Sequence, residues 1–496
     1  MNQEKGPSQA RFISSTLSLS VFNVAALLLG LAGTVILARY FSTTDYGFYA
    51  VISVLESFIM QFSTLGLTTS LPKFLSAAKD EQTKEDFFGT AVIMRVSTIL
   101  LAGLLAWFGR PYLEGLFGKS LLPGLVIFVP LLFALDGFQA FLQSVLQGSF
   151  RFSTIGIINL ITNAVYFALL LTLIYGAKAP LTWILIAKTF MSLVTCILTL
   201  ICVPIKMRIS FKAGIFKELI KFGAPLQVNS ILDFIFSRID SIFVAAFLGP
   251  ANVAIYEVAR KIPDNLRGLY DPFISVYFPF ISKHYDLESR ERASALLNNA
   301  IRFVAFITML GTAIAVLFSQ SIIQLLFSGK YASSAPIFVL LMINLSVALI
   351  SNVMGTTLVG VGDPQKPMII NTFNALTSWL ASVLLIPVYA LFGAATANTL
   401  GTIVAYPLNR FFLRRKIGLN DAAYLKPIVL FAAWGILVFL VKPETFLLKI
   451  GFLAVFLLAS ALLSIVTRDD IDRLVEETGI NSWRVFQNSK VRITKR

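Results

Sequence analysis

ILARYFSTTDYGFYAV, residues Ile36–Val51, lies over IFVAAFLGPANVAIYE and its neighbours, from Phe243 to Val258 at an offset of 207, and this pairing decides the fold. Ala38 matches Ala245 and Tyr49 matches Tyr256, so 245−38 and 256−49 both give 207. The same offset carries Pro72 onto Pro279 and Arg95 onto Arg302. Further on the shift grows slightly, and Ile157–Asn159 falls on Ile369–Asn371, an offset of 371−159 = 212. Long apolar runs flank both copies, so the chain is a duplicated set of membrane helices. Such a duplication is the usual architecture of a secondary transporter, whose site lies where the repeats meet.

Composition supports the bilayer as solvent. Only 14% of the residues are charged, against about 25% in ordinary soluble domains, while 57% are hydrophobic. The net charge of +15 does not imply nucleic acid, because the basic residues cluster at helix ends rather than on one folded face. Cys196 and Cys202 sit six positions apart in one apolar segment and are expected to be free and structural. His284 is the only histidine, so no His/Cys metal site is expected, and no cofactor. The apolar run from Ser15 to Ala38 is too long for a cleavable signal core and is expected to remain as a first spanning helix.

Windows of roughly 17–25 apolar residues predict spans at 15–38, 47–70, 87–108, 121–146, 153–176, 180–203, 224–248, 253–280, 294–318, 334–358, 367–390, 393–413, 425–441 and 446–467. The expected fold is therefore an all-α integral membrane protein of about 14 transmembrane helices. Two six-helix repeats (1–205 and 206–418) are followed by two additional helices (419–467) and a basic tail (468–496). Six crossings is an even number, so the repeats run parallel, related by an axis along the bilayer normal. Eighteen Lys and Arg, including Lys73, Lys84, Arg151, Lys212 and Arg414, fall in one set of alternate connections, against seven, such as Arg39 and Lys330, in the other. The positive-inside rule puts the first set and both termini in the cytoplasm. The tail after Arg468 reads either as a short amphipathic surface helix or as a solvated extension.

The first two helices of the second repeat carry the chemistry. Asp233, Arg238 and Asp240 lie near the middle of a span. The next span holds Glu257, Arg260, Asp264, Arg267 and Asp271 at spacings of 3, 4, 3 and 4, on one helical face, with Lys261 beside them. Each such charge costs roughly 2.5–3.5 kcal/mol at a helix centre, so together they line a wet cavity or pair with one another. Pro263 is expected to kink this helix. Subtracting 207 gives Ala50, Ser53, Ser57, Met60 and Thr64, a small, mostly polar face expected to line the same space. Arg95 and Arg302 occupy equivalent places. As a pair they suit an anionic group such as a pyrophosphate; alternatively each snorkels to the cytoplasmic headgroups. Asp136, heading a stripe with Gln139, Gln143 and Gln147, is either a coupling site for H+ or Na+ or a polar contact between helices. Asp233, Asp240 and Glu257 are further ion-coupling candidates, with Glu56 a weaker one. The Gly118–Ser120 tripeptide lacks the rest of a nucleotide-binding loop.

Several segments carry a family resemblance: the Arg–Tyr–Phe…Asp–Tyr–Gly turn after the first helix, the Gly–Leu before Pro72, Phe222–Pro225 opening the second repeat, and the following Ser–Arg–Ile–Asp with its Leu–Gly and Tyr. The chain resembles the polysaccharide-biosynthesis flippases of the multidrug/oligosaccharidyl-lipid/polysaccharide exporter superfamily over essentially its whole length. That resemblance implies two six-helix lobes in a V-shaped transporter of the cell membrane. Alternating access would carry a polyprenyl-diphosphate-linked oligosaccharide from the cytoplasmic to the outer leaflet. It makes Arg95, Arg302, Arg260 and Arg267 the natural carriers of cargo contacts, with Arg238 and Lys261 as further cavity cations. It implies membrane lipids, glycosyltransferases and a polymerase as functional partners; in the related lipid II flippases the last two helices add a groove for the lipid tail, and those at 425–441 and 446–467 could serve likewise.

Two other classes compete. A drug/cation antiporter of the same superfamily favours an acidic, aromatic cavity, whereas the intramembrane charges here show a cationic excess. A membrane polymerase or glycosyltransferase usually needs a large extramembrane loop or a metal-binding acidic cluster, and the sequence has neither.

Overall fold

The structure, a computed structural model, describes residues 9–78, 80–109, 111–112, 115, 123–285, 289–463 and 465. Helices dominate and no strand occurs among the described residues. In chain order they are α1 (Gln9–Tyr40), α2 (Thr43–Ser63), α3 (Leu67–Ala77), α4 (Glu81–Phe108), α5 (Phe128–Gly148), α6 (Phe152–Leu171), α7 (Leu181–Cys202), α8 (Ala213–Leu248), α9 (Pro250–Lys283), α10 (Arg290–Phe327), α11 (Ser334–Gly360), α12 (Gln365–Arg414), α13 (Asp421–Val441) and α14 (Phe446–Leu462). Every expected window overlaps one of them. Seven of the described helices are long and apolar enough to cross a membrane, or eight if a bent pair is one span. The chain is a multi-pass membrane protein. Its surface agrees: Leu101, Leu104, Leu105 and Phe108 on α4, and Leu447 and Leu458 on α14, are exposed large apolar side chains, tolerable in hydrocarbon and not in water. The expectations for Gly118–Ser120 and for the tail 468–496 lie outside the described residues.

Two expected spans differ in detail. The window at 47–70 is not one helix but α2 and α3, bent by 50° at Thr64–Gly66. Leu65 (φ 49°) and Gly66 (φ 71°) both sit in the left-handed region, which no helix can pass through. Gly66 also packs so closely that a Cβ there would lie 2.1 Å from Gly223 O. In contrast, α9 runs without a break through Pro263. The windows at 367–390 and 393–413 form a single helical stretch, α12, interrupted by non-helical backbone at Ala390 (φ 49°, ψ −128°).

The chain divides into two compact units. The first comprises Met1–Asn265, Ile323–Ile337 and Ala375–Asn398; the second comprises Leu266–Ile322, Phe338–Asn374 and Thr399–Arg496. In the first, Leu67, Leu71 and Leu75 form one face of α3 and pack on Phe88 and Ala91 of α4, Phe141 and Val145 of α5, and Leu219 of α8. In the second, buried hydroxyls join helices: Tyr277 Oη meets Thr357 Oγ1 at 2.7 Å, and Thr312 Oγ1 meets Ser346 Oγ at 2.8 Å. Of the candidate site residues, Arg267 and Arg302 belong to the second unit and the others to the first.

Candidate functional site

The charges of α8 and α9 pair with one another. Asp240 is 1% exposed and accepts from Arg260 Nη1 at 3.0 Å, from Ser241 N at 2.8 Å, from Asn398 Nδ2 at 3.2 Å and from the Tyr256 hydroxyl. Arg260 also donates Nε to Asp264 at 3.2 Å, Nη1 to Ser241 Oγ at 2.9 Å, and Nη2 to Ser237 O. Arg238 bridges Asp264 at 3.0 Å and Glu257 at 3.5 Å, and Ser241 Oγ donates to Glu257 at 2.6 Å. The helical spacing 257, 260, 264 turns three members inward from α9, while 238 and 240 reach them from α8. Burying such ions is tolerable only because each carboxylate meets a guanidinium and each guanidinium several acceptors. Arg260 is therefore committed to the network. Among the described residues Lys261 forms no hydrogen bond and no ion pair closer than 4 Å, though Glu257 and Asp264 act on it through space.

A second cluster joins α2, α5 and α7. Lys188 Nζ lies 2.9 Å from Glu56 Oε2 and 3.4 Å from Ser53 Oγ, and sits over the Tyr49 ring at 5.6 Å. Asp136 lies beside Glu56 and Ser192, within electrostatic reach of Lys188. Glu56 alone forms the ion pair with Lys188, and Asp136 stands next to that pair. Sequence reasoning missed Lys188. Its signal was available: one lysine in the middle of the apolar run Leu181–Cys202 is an intramembrane charge that needs a partner.

Between the clusters lies a polar cavity of about 190 Å³. It is lined by Thr34 of α1; Tyr46, Tyr49, Ala50, Ser53, Val54 and Ser57 of α2; Phe234 and Arg238 of α8; and Glu257 and Lys261 of α9. Of the small face Ala50, Ser53 and Ser57 line it, and of the charged face Glu257 with Lys261 beside it; Met60, Thr64, Arg260, Asp264, Arg267 and Asp271 are not among its lining residues. Two cations against one carboxylate leave the lining with a positive excess, accompanied by phenol and hydroxyl groups that can bind an anion or a polyol.

The remaining candidates are placed differently. Arg95 is 1% exposed; it donates Nε to Gly137 O at 3.1 Å and Nη1 to Ser63 O at 3.0 Å, while Nη2 has no hydrogen-bond partner among the described residues. Its job is visible in the fold: it satisfies the end of α2 where that span breaks, as backbone inside a membrane requires. Arg302, its duplicate, is half-buried in the second unit and donates to Asn299 Oδ1 at 3.1 Å. Asp233 is an exposed residue of α8, and Arg267 is a half-buried one of α9 in the second unit. Among the described residues no group of three His, Cys, Asp or Glu is disposed to hold a metal ion.

Comparison with known proteins fits this architecture. The family model described as "Polysaccharide biosynthesis protein" matches residues 36–336. The teichuronic acid biosynthesis protein TuaB of Bacillus subtilis is 23% identical over 384 residues, covering 74% of this chain and 77% of TuaB. Among solved structures, the lipid II flippase MurJ in an inward closed conformation aligns with a TM-score of 0.72 at 18% identity, over 89% of this chain and 98% of MurJ. An inward-facing MATE multidrug resistance transporter of the MOP superfamily aligns with a TM-score of 0.67 at 13% identity, over 79% and 94%. At these identities the structures establish the fold alone. The sequence match across residues 36–336 establishes the family: the chain belongs to the polysaccharide biosynthesis proteins, as a multi-pass membrane protein with a flippase and exporter fold.

Proposed function

We propose that this protein is a flippase that moves a polyprenyl-diphosphate-linked oligosaccharide from the cytoplasmic to the outer leaflet of the cell membrane by alternating access. The sugar head cannot enter hydrocarbon unaided, whereas the polyprenyl tail can stay in lipid, so the protein need only shelter the head. No covalent step is required of it. The observation that carries the reading is Lys261, a cation that lines the polar cavity with no ion pair of its own among the described residues. Its ammonium would meet the diphosphate, Arg238 would assist, and Tyr46, Tyr49, Ser53 and Ser57 would meet sugar hydroxyls. The repeats 1–205 and 206–418 would move as lobes with both termini cytoplasmic, and the helices of 419–467 would follow the second. Asp136, an intramembrane carboxyl beside the Glu56–Lys188 pair, would be the site for a coupling H+ or Na+.

The test is binding of a purified polyprenyl-diphosphate oligosaccharide to the protein in nanodiscs. Lys261→Ala should weaken it by about tenfold or more, as loss of a charge-assisted contact does. Wild-type affinity in Lys261→Ala would overturn the cargo assignment. Retained binding of a lipophilic cation in its place would favour the antiporter.

A further inference from the structure

Two exposed cations cross-cap two helix ends near the cavity. Arg39, next to last in α1, donates Nε to Leu326 O at 2.7 Å and Nη2 to Leu325 O. Both carbonyls belong to the last turn of α10, where no intrahelical N–H can reach them. Lys330, in the 3-10 turn Gly329–Tyr331 just beyond α10, answers in the other direction. Its Nζ donates to Arg39 O at 2.9 Å and to Phe41 O, at the end of α1. Each cation thus caps the helix end next to which the other resides. A helix C-terminus carries roughly half a negative charge, so both contacts are electrostatically favourable. Among the described residues neither side chain has a carboxylate within ion-pair distance.

The cross-capped ends adjoin residues that line the polar cavity. Thr34, little more than one turn before Arg39, lines it, and so does Tyr46, whose ring meets that of Tyr331 edge-on at 6.2 Å. Next to Tyr46, Gly47 lies so tightly against the start of α9 that a Cβ would come within 2.0 Å of Pro250 O. Ser334 Oγ closes the row by donating to Ile255 O at 2.8 Å.

We propose that Arg39 and Lys330 form a reversible latch that closes the Tyr46 end of the cavity, and that its release admits water and cargo there. The direction of cargo rests on the alternating-access reading above; the latch itself does not need the cargo. Its chemistry suits a contact that must open. Both cations are exposed, so water can take over the carbonyls and the charges on release. The Arg260–Asp240 pair, with both partners buried, cannot part on such terms.

The test uses the full chain in lipid vesicles, with Cys196→Ser and Cys202→Ser and a reporter, Ala50→Cys, on the buried cavity wall. A membrane-impermeant maleimide should label the reporter about fivefold faster in Arg39→Gln and in Lys330→Gln. The double variant should add little, because both cations hold one seam. Lys330→Arg and Arg39→Lys, which keep the positive charge that the Gln variants lose, should keep the slow rate. Unchanged labelling in both Gln variants and in their double would overturn the latch, as would equal acceleration in the conservative variants. If the latch variants accelerate labelling while Lys261→Ala binds glycolipid normally, the cargo assignment fails and the latch stands.

Discussion

The α2–α3 pair and α9 are copies of one span, and they have diverged in opposite directions. The first is nearly free of charge and broken; the second is densely charged and continuous. The break has a local cause. Gly66 supplies the left-handed residue that turns the chain, and its counterpart at an offset of 207 is Phe273, which disfavours that conformation. The charge has a local answer too. Arg260 and Asp264 pair within the second copy and with α8, while their counterparts Ser53 and Ser57 leave the room that becomes the cavity. Duplication has supplied matching positions, and divergence has made one copy the wall and the other the charge.

The largest expected effect tests the charged copy. Asp240→Ala should leave Arg260 buried without its main partner and lower stability by about 3–5 kcal/mol, measured as thermal unfolding in detergent. Ser53→Ala, at the counterpart of Arg260, should cost under about 0.5 kcal/mol; comparable losses would erase the distinction between the copies. Next comes the break. Gly66→Ala must strain a backbone at φ 71° and displace Gly223, costing about 2–3 kcal/mol in the same assay. A smaller loss of about 1–2 kcal/mol is expected for Gln227→Ala. This buried side chain of α8 accepts from Gly66 N at 2.8 Å and from Thr64 Oγ1, and donates to Gln61 O. A neutral Gln227→Ala would mean that the break does not need stitching.

The smallest effect separates the helices that follow the two copies. Asp80 caps α4 by accepting from Thr83 N at 2.7 Å, and that hydrogen bond holds its carboxyl below the ordinary range. Its contribution is present above the unfolded carboxylate pKa of about 3.9 and is lost as pH falls through the lower folded value. At the start of α10 the acceptor is Ser289, bonded from Arg292 N at 3.3 Å, which does not titrate. Hydrogen exchange should show the first turn of α4 fraying in acid while that of α10 does not. Asp80→Asn should remove the difference.

Much of the fold was legible because apolar length and charge period are properties of the chain itself. Fourteen windows, the repeat offset and the face shared by Glu257, Arg260 and Asp264 need only spacing. The bend at Leu65–Gly66 was not, since a Gly–Leu step inside an apolar run also reads as uninterrupted helix until Gly223 and Gln227 are brought against it. The candidate site divides in the same way. The pairing of a small face with a charged face followed from the offset, whereas Lys188 beside Glu56, and Arg95 at the broken end of α2, join residues 132 and 32 positions apart.

Membrane residence, the repeat offset and the identity of the residues that carry charge into hydrocarbon are written in the chain alone, because bilayer solvation acts on each segment separately. Only the tertiary structure decided which of those charges are consumed by one another and which face open space. Arg260 and Lys261 are neighbours of like sign. One is locked among carboxylates and the other lines a cavity, because a step of one residue rotates a side chain about a quarter turn around a helix, and what stands there is set by α2 and α8.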